Sequence, residues 1–518
     1  MLNKIIIFDG YTDEPAGLGV PPYINVYPRL IAGAILSVRK DVKVYYWTAD
    51  SYRENVEQFF KQARESDLIV FIAGMEVPGK YIGGKPLSLN ELEHISIRLK
   101  DKDLILTGPV AKFGFGTGGG TVAQPTRIMR KYFREVVSGD VEIYFNELFK
   151  YGFEKADPRK MREDYSIADE ALVKGAEIVK QHPNYSFNLI AEIETYRGCP
   201  RWVTGGCSFC IEPRYGSPIM RTPEAIAREV ERLYSLGVKH IRLGKQPDIL
   251  VYGSNQMGRE EFPEPNPEVL EKLFRGIRNK APGLRTIHID NVNPGTIARH
   301  QEKSIQALKV IINYHTPGDV AALGIESFDE RVIKLNNLKV YPEDALAAIR
   351  IINIVGRVRG WNGLPHLLPG INLLYGLLGE TRDTYRINED YLKTILQEGI
   401  LVRRVNVRKV SVLENTPLWL RKNQVFSILK KHRHIYKTHR LWVMSSFDKI
   451  MLKKVVPPGT LLPYLYVEKT GKSISIARFP GSYPIAVKFK ERLPKHTLVS
   501  GIVKKYSSKS VLASQVTI

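Results

Sequence analysis

The stretch Glu194–Cys210, ETYRGCPRWVTGGCSFC, contains the only three cysteines of this 518-residue chain: Cys199, Cys207 and Cys210. Thiolates are soft ligands that suit zinc ions and iron–sulfur clusters. A structural zinc site takes four protein ligands, and this stretch has no histidine to add to its three cysteines. A [4Fe–4S] cluster on three thiolates leaves one iron open for another ligand. The stretch therefore favours such a cluster over a zinc site or simply buried cysteines.

The residues around the cysteines agree with a cluster-binding loop. Gly198, Gly205 and Gly206 would let the backbone wrap around a cluster without steric conflict. An odd number of cysteines within twelve residues does not support a disulfide framework, so we expect a reducing, cytoplasmic location. Arg197, Arg201 and Trp202 flank the loop, and we interpret them as packing and charge-setting residues.

The loop follows the first of six strand-like segments that alternate with helical patterns. The segments are FNLIAEIET, KHIRLG, RTIHID, VAALGIES, GINLLYG and VNVRKVSV. Two of the intervening helices have clear starts, because Thr222-Pro223 and Asn266-Pro267 each place a capping side chain before a proline. Repeated β/α units of this size predict a partial or full (β/α) barrel.

The first 150 residues alternate in the same way, with apolar strand-like segments KIIIFD, VKVYYW, DLIVFIAG, DLILTGP and VEIYF. Continuous apolar strands separated by helices predict a doubly wound parallel sheet. Residues 151–185 are polar and read as a linker. The glycine cluster Gly114–Gly120 follows the fourth strand, at the edge where such sheets bind ligands.

The last quarter of the chain differs from the rest in pattern and in charge. A basic helical segment, RKNQVFSILKKHRHIYKTHR, precedes short strands punctuated by glycine and proline turns, which predict a small all-β barrel. From Leu401 onward 24 lysines and arginines face four acidic residues, whereas residues 1–400 carry 52 basic and 50 acidic residues. Such polarity favours a polyanion partner, nucleic acid first, over charge that serves only solubility.

The barrel segment, roughly Phe187 to Thr416, resembles the radical SAM superfamily. The cysteine loop keeps the Ser208-Phe209-Cys210 ending of that family, although seven residues rather than three fill its first gap. The resemblance implies S-adenosylmethionine (SAM) contacts at three later strand ends. The corresponding residues are Gly244 and Lys245 after the second strand, Glu326 and Ser327 after the fourth, and Gly376 after the fifth, with Phe209 in the loop.

The resemblance also implies a reaction, the reductive cleavage of SAM. The open iron of the cluster would chelate SAM, and an electron from an external donor would cleave it to methionine and a 5′-deoxyadenosyl radical. The residue that acts on the substrate stays unknown. The family position that usually carries a Gly-Gly-Glu contact to the SAM amino group is Leu243-Gly244-Lys245 here.

The flanking segments carry resemblances of their own. The first domain is similar to the cobalamin-binding-like domain of many radical SAM methyltransferases, but Asp9-Gly10-Tyr11 lacks the histidine of the usual cobalt-ligand motif, so bound cobalamin stays open. The last segment resembles the TRAM domain of tRNA methylthiotransferases, with Tyr464, Tyr466, Phe479, Tyr483 and Tyr506 as candidates for base stacking, about half of them core. The layout also resembles uncharacterised archaeal radical SAM proteins.

These observations together predict an α/β protein of four segments. They are a Rossmann-like, cobalamin-binding-like domain with its linker (1–185), a radical SAM partial barrel (186–420), a basic helical connector (421–455) and a TRAM-like β-barrel (456–518). No run of about eighteen apolar residues occurs, so no membrane span is expected. Methylthiotransferases carry three further cysteines for a second cluster, and this chain has none, which argues against sulfur insertion.

Three functions remain in view at this point. The first is a radical SAM enzyme that modifies tRNA or rRNA through the basic C-terminal quarter. The second is a cobalamin-dependent methyltransferase that acts on a small molecule, lipid or protein. The third is an RNA-binding protein whose cluster is structural or redox-sensing. Retained cobalamin would favour the second, and failure to cleave SAM would favour the third.

Overall fold

The computed structural model describes residues 2–12, 22–74, 85–116 and 118–517, so parts of the DGYTDEPAGLGVPPYI segment and of the glycine cluster lie outside the described residues. The strands, in chain order, are β1 (Lys4–Asp9), β2 (Tyr23–Ile24), β3 (Lys43–Thr48), β4 (Leu68–Ile72), β5 (Asp103–Thr107), β6 (Glu135–Val136), β7 (Ile190–Glu194), β8 (Tyr196–Arg197), β9 (Ile219–Met220), β10 (His240–Gly244), β11 (Thr286–Ile289), β12 (Asn291–Val292), β13 (Asp319–Glu326), β14 (Leu367–Tyr375), β15 (Arg404–Lys409), β16 (Leu461–Thr470), β17 (Ser475–Arg478), β18 (Ala486–Phe489), β19 (Leu498–Tyr506) and β20 (Ser510–Val516).

The α-helices, in chain order, are α1 (Val26–Val38), α2 (Ala49–Glu54), α3 (Val56–Arg64), α4 (Leu89–Arg98), α5 (Pro109–Phe113), α6 (Val141–Tyr151), α7 (Ser166–Lys174), α8 (Pro223–Ser235), α9 (Pro267–Lys280), α10 (Pro294–Arg299), α11 (Gln301–Tyr314), α12 (Glu330–Leu335), α13 (Pro342–Gly356), α14 (Arg382–Gln397), α15 (Lys422–Lys431), α16 (Arg433–Trp442) and α17 (Asp448–Val455). A π-helical turn, Val443–Phe447, joins α16 to α17. Within the described residues, no helix is both long and apolar enough to cross a membrane.

The N-terminal segment forms a parallel sheet with the strand order β3-β1-β4-β5-β6. Its central strands are buried on both faces, as their continuous apolar sequences predict. The prediction of a doubly wound sheet is confirmed. The prediction that VEIYF (Val141–Phe145) is a strand is wrong, because these residues begin helix α6, and β6 lies a few residues earlier at Glu135–Val136.

The central segment forms an open parallel barrel from two continuous sheets. One has the order β11-β10-β7-β2, the other has the order β12-β13-β14-β15, and β11 runs directly into β12 through Asp290. All six predicted barrel strands are present, and the partial-barrel prediction is confirmed. A seventh short strand, β2, comes from the N-terminal segment and pairs with β7 through Tyr23 and Ile24. The barrel therefore ends at β2 on one side and at β15 on the other.

The segment 151–185 is more than a linker. It contains α7 and a 3-10 helix, Gly175–Gln181, and both pack on α1, where the backbone comes so close that Gly33 and Gly175 have no room for a Cβ atom. This contact ties the N-terminal sheet to the barrel. The domain boundary at residue 185 stays a prediction.

The C-terminal segment is a closed five-stranded barrel with the order β16-β17-β18-β20-β19, which fits the predicted TRAM-like barrel. Of the five aromatic residues considered for base stacking, Tyr466 is buried and Tyr464 is exposed. Phe479, Tyr483 and Tyr506 are half-buried. The expectation that about half of them serve the fold agrees with these positions.

The C-terminal barrel packs against the lower end of the central barrel, where the strands begin. The loop Pro480–Tyr483, which we call the sill loop, makes the closest contacts. Its backbone oxygens accept hydrogen bonds from Thr286 Oγ1 (2.9 Å, Pro480), Tyr23 Oη (2.7 Å, Gly481) and Arg403 Nη2 (2.7 Å, Tyr483). The loop thus joins β2, β11 and the start of β15 across the gap between the two ends of the barrel sheet.

Candidate active site

The cysteine loop lies at the upper end of the central barrel, directly after β7. The two-stranded ribbon of β8 and β9 brackets it, and Cys199 precedes a 3-10 helix that spans Pro200–Thr204. The three predicted loop glycines, Gly198, Gly205 and Gly206, all have positive φ (92°, 81° and 65°). A Cβ atom on Gly206 would lie 2.3 Å from Pro213 Cγ, so this loop path requires glycine there.

The three thiols are shielded from solvent and influence one another. Cys199 and Cys207 are buried and Cys210 is half-buried against apolar neighbours such as Leu377, Val410 and Leu418. Burial raises the pKa of Cys199 to about 12 and raises that of Cys210 well above its usual range, with the neighbouring thiols adding to both shifts. Ligation to iron replaces the thiol proton and removes the need for a free buried thiolate.

Arg201 gives the loop a fixed positive charge, in line with its interpretation as a packing and charge-setting residue. The side chain is 2% exposed, and its Nη1 donates hydrogen bonds to Cys207 Sγ (3.0 Å) and to the backbone oxygen of Asn337 (2.9 Å). Its Nε donates to Glu261 Oε1 (2.8 Å). Hydrogen bonds to a ligating sulfur influence the reduction potential of a cluster. Arg201 therefore both anchors the loop and sets the charge beside one thiolate.

The donor set fits a cluster better than a single ion. One zinc ion requires its sulfur ligands to converge at about 2.3 Å from a common point. A structural zinc site also takes four protein ligands, and this loop offers three. Iron–sulfur clusters are held by cysteine thiolates. The three adjacent thiols, their dry surroundings and Arg201 fit that group.

Glu326 lies at a bulge near the end of β13, with a positive φ of 66°. A Cβ atom on Gly324 would lie 2.8 Å from Glu326 Oε1 and 2.5 Å from Lys339 Nζ, so the two head groups meet over this glycine. Burial raises the pKa of Glu326 to about 7, and Lys339 and Arg408 oppose the shift. Lys339 also acts on Cys199 electrostatically and therefore links the cysteine loop to Glu326.

The other candidate SAM residues lie in different surroundings. Gly376, with φ 93°, directly follows β14 and packs against Leu429 of α15. A Cβ atom added to Gly376 would lie 2.5 Å from the Leu429 side chain. Phe209 is half-buried beside Cys207 in the same apolar cluster. Ser327 is buried and its Oγ accepts the backbone N–H of Asp329 (3.1 Å), which starts α12. Their roles as SAM contacts stay predictions.

Gly244, the last residue of β10, and Lys245, the next residue, lie in different surroundings. A Cβ on Gly244 would lie 2.3 Å from Glu192 Oε1 inside the barrel. Lys245, with φ 62°, instead lines a small cavity of about 30 Å³ between the barrel and the end of the N-terminal sheet. Burial lowers the pKa of Lys245 to about 7. The structure therefore does not bring Lys245 and Glu326 to one wall of one pocket.

The same cavity contains several charged groups at the ligand edge of the N-terminal sheet. Arg197 pairs with Asp140, and Arg162 donates to Glu194 (2.7 Å). Burial, with help from Glu194, raises the pKa of Glu212 to about 8. Ion pairs thus fill much of the boundary between the cysteine loop and the N-terminal sheet.

Comparisons with known proteins agree with this site. The family model described as the radical SAM superfamily matches residues 193–386. An uncharacterized protein of Methanocaldococcus jannaschii is 45% identical over 492 residues, which cover 94% of this chain and 88% of that protein. A tRNA-2-methylthio-N(6)-dimethylallyladenosine synthase of Protochlamydia amoebophila is 21% identical over 305 residues, covering 56% of this chain and 62% of that protein.

A solved structure shares the fold. The cobalamin-dependent S-adenosylmethionine radical enzyme OxsB, with aqua-cobalamin and S-adenosylmethionine bound, superposes with a TM-score of 0.50 at 13% identity, covering 85% of this chain and 56% of that chain. The matched family segment includes the three cysteines, four of the six predicted barrel strands and the end of β7. The chain therefore belongs to the radical SAM superfamily, whose enzymes work with a [4Fe–4S] cluster and S-adenosylmethionine.

Proposed function

We propose that this protein holds its cluster on Cys199, Cys207 and Cys210, cleaves SAM reductively, and modifies RNA. The bound cluster supplies the electron that breaks a carbon–sulfur bond of SAM and so provides a 5′-deoxyadenosyl radical. The chain's own residues hold the cysteine loop dry and orient the SAM nucleoside. An external electron donor is required.

Glu326 carries the proposed contact to the SAM ribose. A carboxylate accepts hydrogen bonds from two vicinal hydroxyls, and its position over Gly324 beside Lys339 faces the cysteine loop side of the barrel. We keep Phe209, Gly244, Lys245, Ser327 and Gly376 as the remaining proposed contacts. We add Lys339 to that set, because its positive charge acts electrostatically on Cys199, Asp248 and Glu326.

The observation that carries the RNA proposal is a group of cations beside the barrel mouth, which we call the mouth row. Its members are Lys409 at the end of β15 and Arg433, Lys437 and Arg440 on α16. The three α16 side chains are exposed. Partial burial is the largest cause that lowers the pKa of Lys409, and the positive charges of these three side chains lower it further. Cations close enough to lower a neighbour's pKa create a positive electrostatic potential that favours the binding of a polyanion.

The mouth row is fixed to the proposed SAM site through the buried side of α16. His432 Nδ1 lies 2.8 Å from Glu380 Oε1, and the other oxygen of Glu380 accepts the N–H of Gly376. His439 Nε2 lies 2.6 Å from the hydroxyl of Tyr375, the last residue of β14. A polyanion bound on the exposed face of α16 would therefore be held at a constant distance from the end of β14.

The direct test compares RNA with and without the protein. Anaerobic purification followed by sequencing of bound RNA identifies the target, and nucleoside mass spectrometry of tRNA and rRNA from a deletion strain identifies the change. We expect one nucleoside to lose mass in the deletion strain and to regain it on complementation. Identical nucleoside profiles, together with no RNA retained on purification, would refute the RNA substrate.

A second test uses charge variants of the mouth row. Replacing Arg433, Lys437 and Arg440 by Gln should weaken RNA binding and reduce the log–log salt slope by about 2–3, since each phosphate contact contributes about 0.7–0.9. SAM cleavage without RNA should stay unchanged. The matched control replaces the exposed Lys40, Lys61 and Lys150 by Gln and should leave the slope intact. Equal slopes in all three proteins would contradict the proposal.

Cobalamin-dependent methyl transfer is the second candidate function, and the cavity beside Lys245 is the observation that favours it. It lies at the end of β5 and β6, next to Gly108 and Asp140, where a doubly wound sheet binds its ligands. Its volume of about 30 Å³ has room for only about one or two water molecules, so the cavity would have to open to take cobalamin. Stoichiometric cobalamin after anaerobic purification would support this candidate.

A further inference from the structure

The inner face of β15 carries polar side chains at every second position: Arg404, Asn406 and Arg408. The alternating Val405 is buried on the opposite face, against the helices. Asn406 Nδ2 donates to Asn372 Oδ1 of β14 (2.7 Å), which places this row on the inside of the barrel. Arg404, Asn406 and Arg408 are all half-buried, so the lumen in front of them is accessible to solvent.

The row borders a gap in the barrel wall, which we call the side opening. Strands β2 and β15 are the last strands of their sheets and do not pair with each other. The sill loop of the C-terminal barrel bridges the lower end of this gap, from Tyr23 on β2 to Arg403 before β15. The C-terminal barrel therefore forms part of the border of the central lumen.

Tyr483 of the sill loop projects into this border. It has a positive φ of 50°, and the guanidinium of Arg404 lies 4.0 Å from the centre of its ring. Asp290, Arg404, Arg408 and Arg242 all act electrostatically on its hydroxyl. A strained, non-glycine backbone that presents an aromatic ring to the lumen is a feature typical of ligand sites.

The charge balance of the lumen distinguishes Arg404 and Arg408 from Arg242. Arg242 pairs with Glu192 and lies 3.7 Å from Asp290. In the described part of the chain, no carboxylate oxygen lies within 4.0 Å of the guanidinium of Arg404 or Arg408, and the buried Nε of Arg404 has no hydrogen-bond partner. Asp448 acts on Arg404, and Asp290 and Glu326 act on Arg408, only at longer range.

Two half-buried guanidiniums without an ion pair of their own form a site that suits an anion. Buried charges in proteins are normally paired, and arginine forks match the oxygens of a phosphate group. We propose that the side opening admits the substrate, that Arg404 and Arg408 bind a phosphate next to the nucleotide that is modified, and that Tyr483 packs against that nucleotide. This inference rests on the proposed RNA substrate. It adds that the part of the RNA that enters the barrel is a nucleotide that is not base-paired.

The test uses Arg404→Gln, Arg408→Gln and the double variant in the full-length, cluster-loaded protein. Three quantities are measured: 5′-deoxyadenosine formation without RNA, SAM affinity, and affinity for RNA isolated from a deletion strain. We expect unchanged uncoupled SAM cleavage and SAM affinity, with about tenfold weaker RNA binding for each single variant. Arg408→Lys, which keeps the charge but loses the fork, should recover only part of the affinity. Arg228→Gln, an exposed arginine of α8 outside the opening and outside the basic C-terminal quarter, is the matched control.

An anion probe separates this inference from the proposed function. Crystals soaked with selenate should show an anomalous peak between Arg404 and Arg408, and the peak should vanish in the double variant, whose thermal unfolding should match the wild type. No peak in the wild type would overturn the inference. Normal RNA affinity with weakened SAM affinity in the variants would also overturn it, since the pair would then bind the SAM carboxylate. The RNA function itself fails separately, on unchanged nucleoside profiles.

Discussion

The two ends of the central barrel are built in different ways. At the mouth, one stretch of seventeen residues supplies all three cysteines, the glycines that shape their loop, and Arg201. At the floor, Tyr23, Thr286 and Arg403 come from three distant parts of the chain and meet the sill loop near the C-terminus. The mouth is a local motif held on a scaffold, and the floor is a long-range assembly.

This difference changes the role of the C-terminal barrel. Its core includes Leu364 and Leu368 of the central segment, together with Leu462 and Val487 of its own strands. Removing Val456–Ile518 would therefore expose apolar surface on the central barrel and remove the border of the side opening. Truncation confounds folding with RNA binding, so point variants at the mouth and at the floor are the sharper tests.

The largest expected effect is at the mouth. Each of Cys199→Ala, Cys207→Ala and Cys210→Ala should abolish the iron–sulfur spectrum and all 5′-deoxyadenosine formation, because three thiolates are the full protein ligand set. Anaerobic iron and sulfide analysis with absorption spectroscopy measures the loss. Thermal unfolding of the apo-proteins should stay close to that of wild-type apo-protein, because the floor is untouched.

The control for the cysteine variants is Trp202→Phe, which changes an exposed side chain of the same loop and should retain the cluster. Full iron loading in Cys207→Ala would remove that residue from the ligand set. One equivalent of zinc and no iron after anaerobic reconstitution would contradict the cluster altogether.

At the floor, Gly481→Ala should destabilise the fold and spare the cluster. A Cβ atom there would lie 2.3 Å from Cε1 and 2.4 Å from Nδ1 of the buried His288. Overpacking of this kind costs about 1–3 kcal/mol of unfolding free energy. Chemical denaturation followed by circular dichroism measures the change, and iron content checks the mouth.

Gly276→Ala is the matched substitution away from the floor. Its Cβ would lie 3.5 Å from that of Ala227, an ordinary contact on helix α9, so stability should rise by up to about 1 kcal/mol. If Gly481→Ala proved as well tolerated as Gly276→Ala, the sill loop would not be the close-packed joint described above.

Glu326→Gln returns to the mouth with a smaller effect. We expect the binding free energy of SAM to become less favourable by about 1–3 kcal/mol, the usual value for a hydrogen bond to a charged group. Iron content and the free energy of unfolding should stay unchanged. Isothermal titration of the anaerobic holoprotein measures the affinity. Glu302→Gln, on the exposed side of α11, is the control, and equal affinities in the two variants would leave Glu326 with a structural role only.

Sequence patterns predicted the six barrel strands, the cysteine loop and the closed C-terminal barrel because each depends on local periodicity or on one short motif. The helix that begins with VEIYF was missed because Val141, Ile143, Tyr144 and Phe145 are all buried, and a short, fully buried helix cannot be told from a strand by its pattern. The strand β2 was missed because two residues that complete another sheet leave no periodic signal.

The candidate site shows the same limit. Lys339 acts on Cys199 and Glu326 only because the fold brings it there, and it belongs to no sequence pattern that marks such a position. One signal was available for the lumen: Arg404, Asn406 and Arg408 place polar side chains at alternate positions in a strand expected to be buried. A polar inner face on a barrel strand indicates a wet, ligand-binding lumen rather than a packed core.

The smallest expected effect is at the floor and concerns a single hydroxyl. Ser482 makes two hydrogen bonds to β11: its Oγ donates to the backbone oxygen of Ile289 (2.9 Å), and its N–H donates to His288 Nδ1 (2.8 Å). Ser482→Ala removes only the first, and the second remains because it uses the backbone. We expect unfolding free energy to fall by about 1 kcal/mol, as for one buried hydrogen bond whose acceptor is left without its donor. Ser473→Ala, in an exposed turn of the same barrel, should change it by less than about 0.5 kcal/mol. Because the sill loop borders the lumen but lies at the opposite end of the strands from the cysteines, SAM cleavage without RNA should be the same in both variants. A loss of SAM cleavage in Ser482→Ala alone would mean that the floor and the mouth are coupled, and the comparison between two independently built ends would not hold.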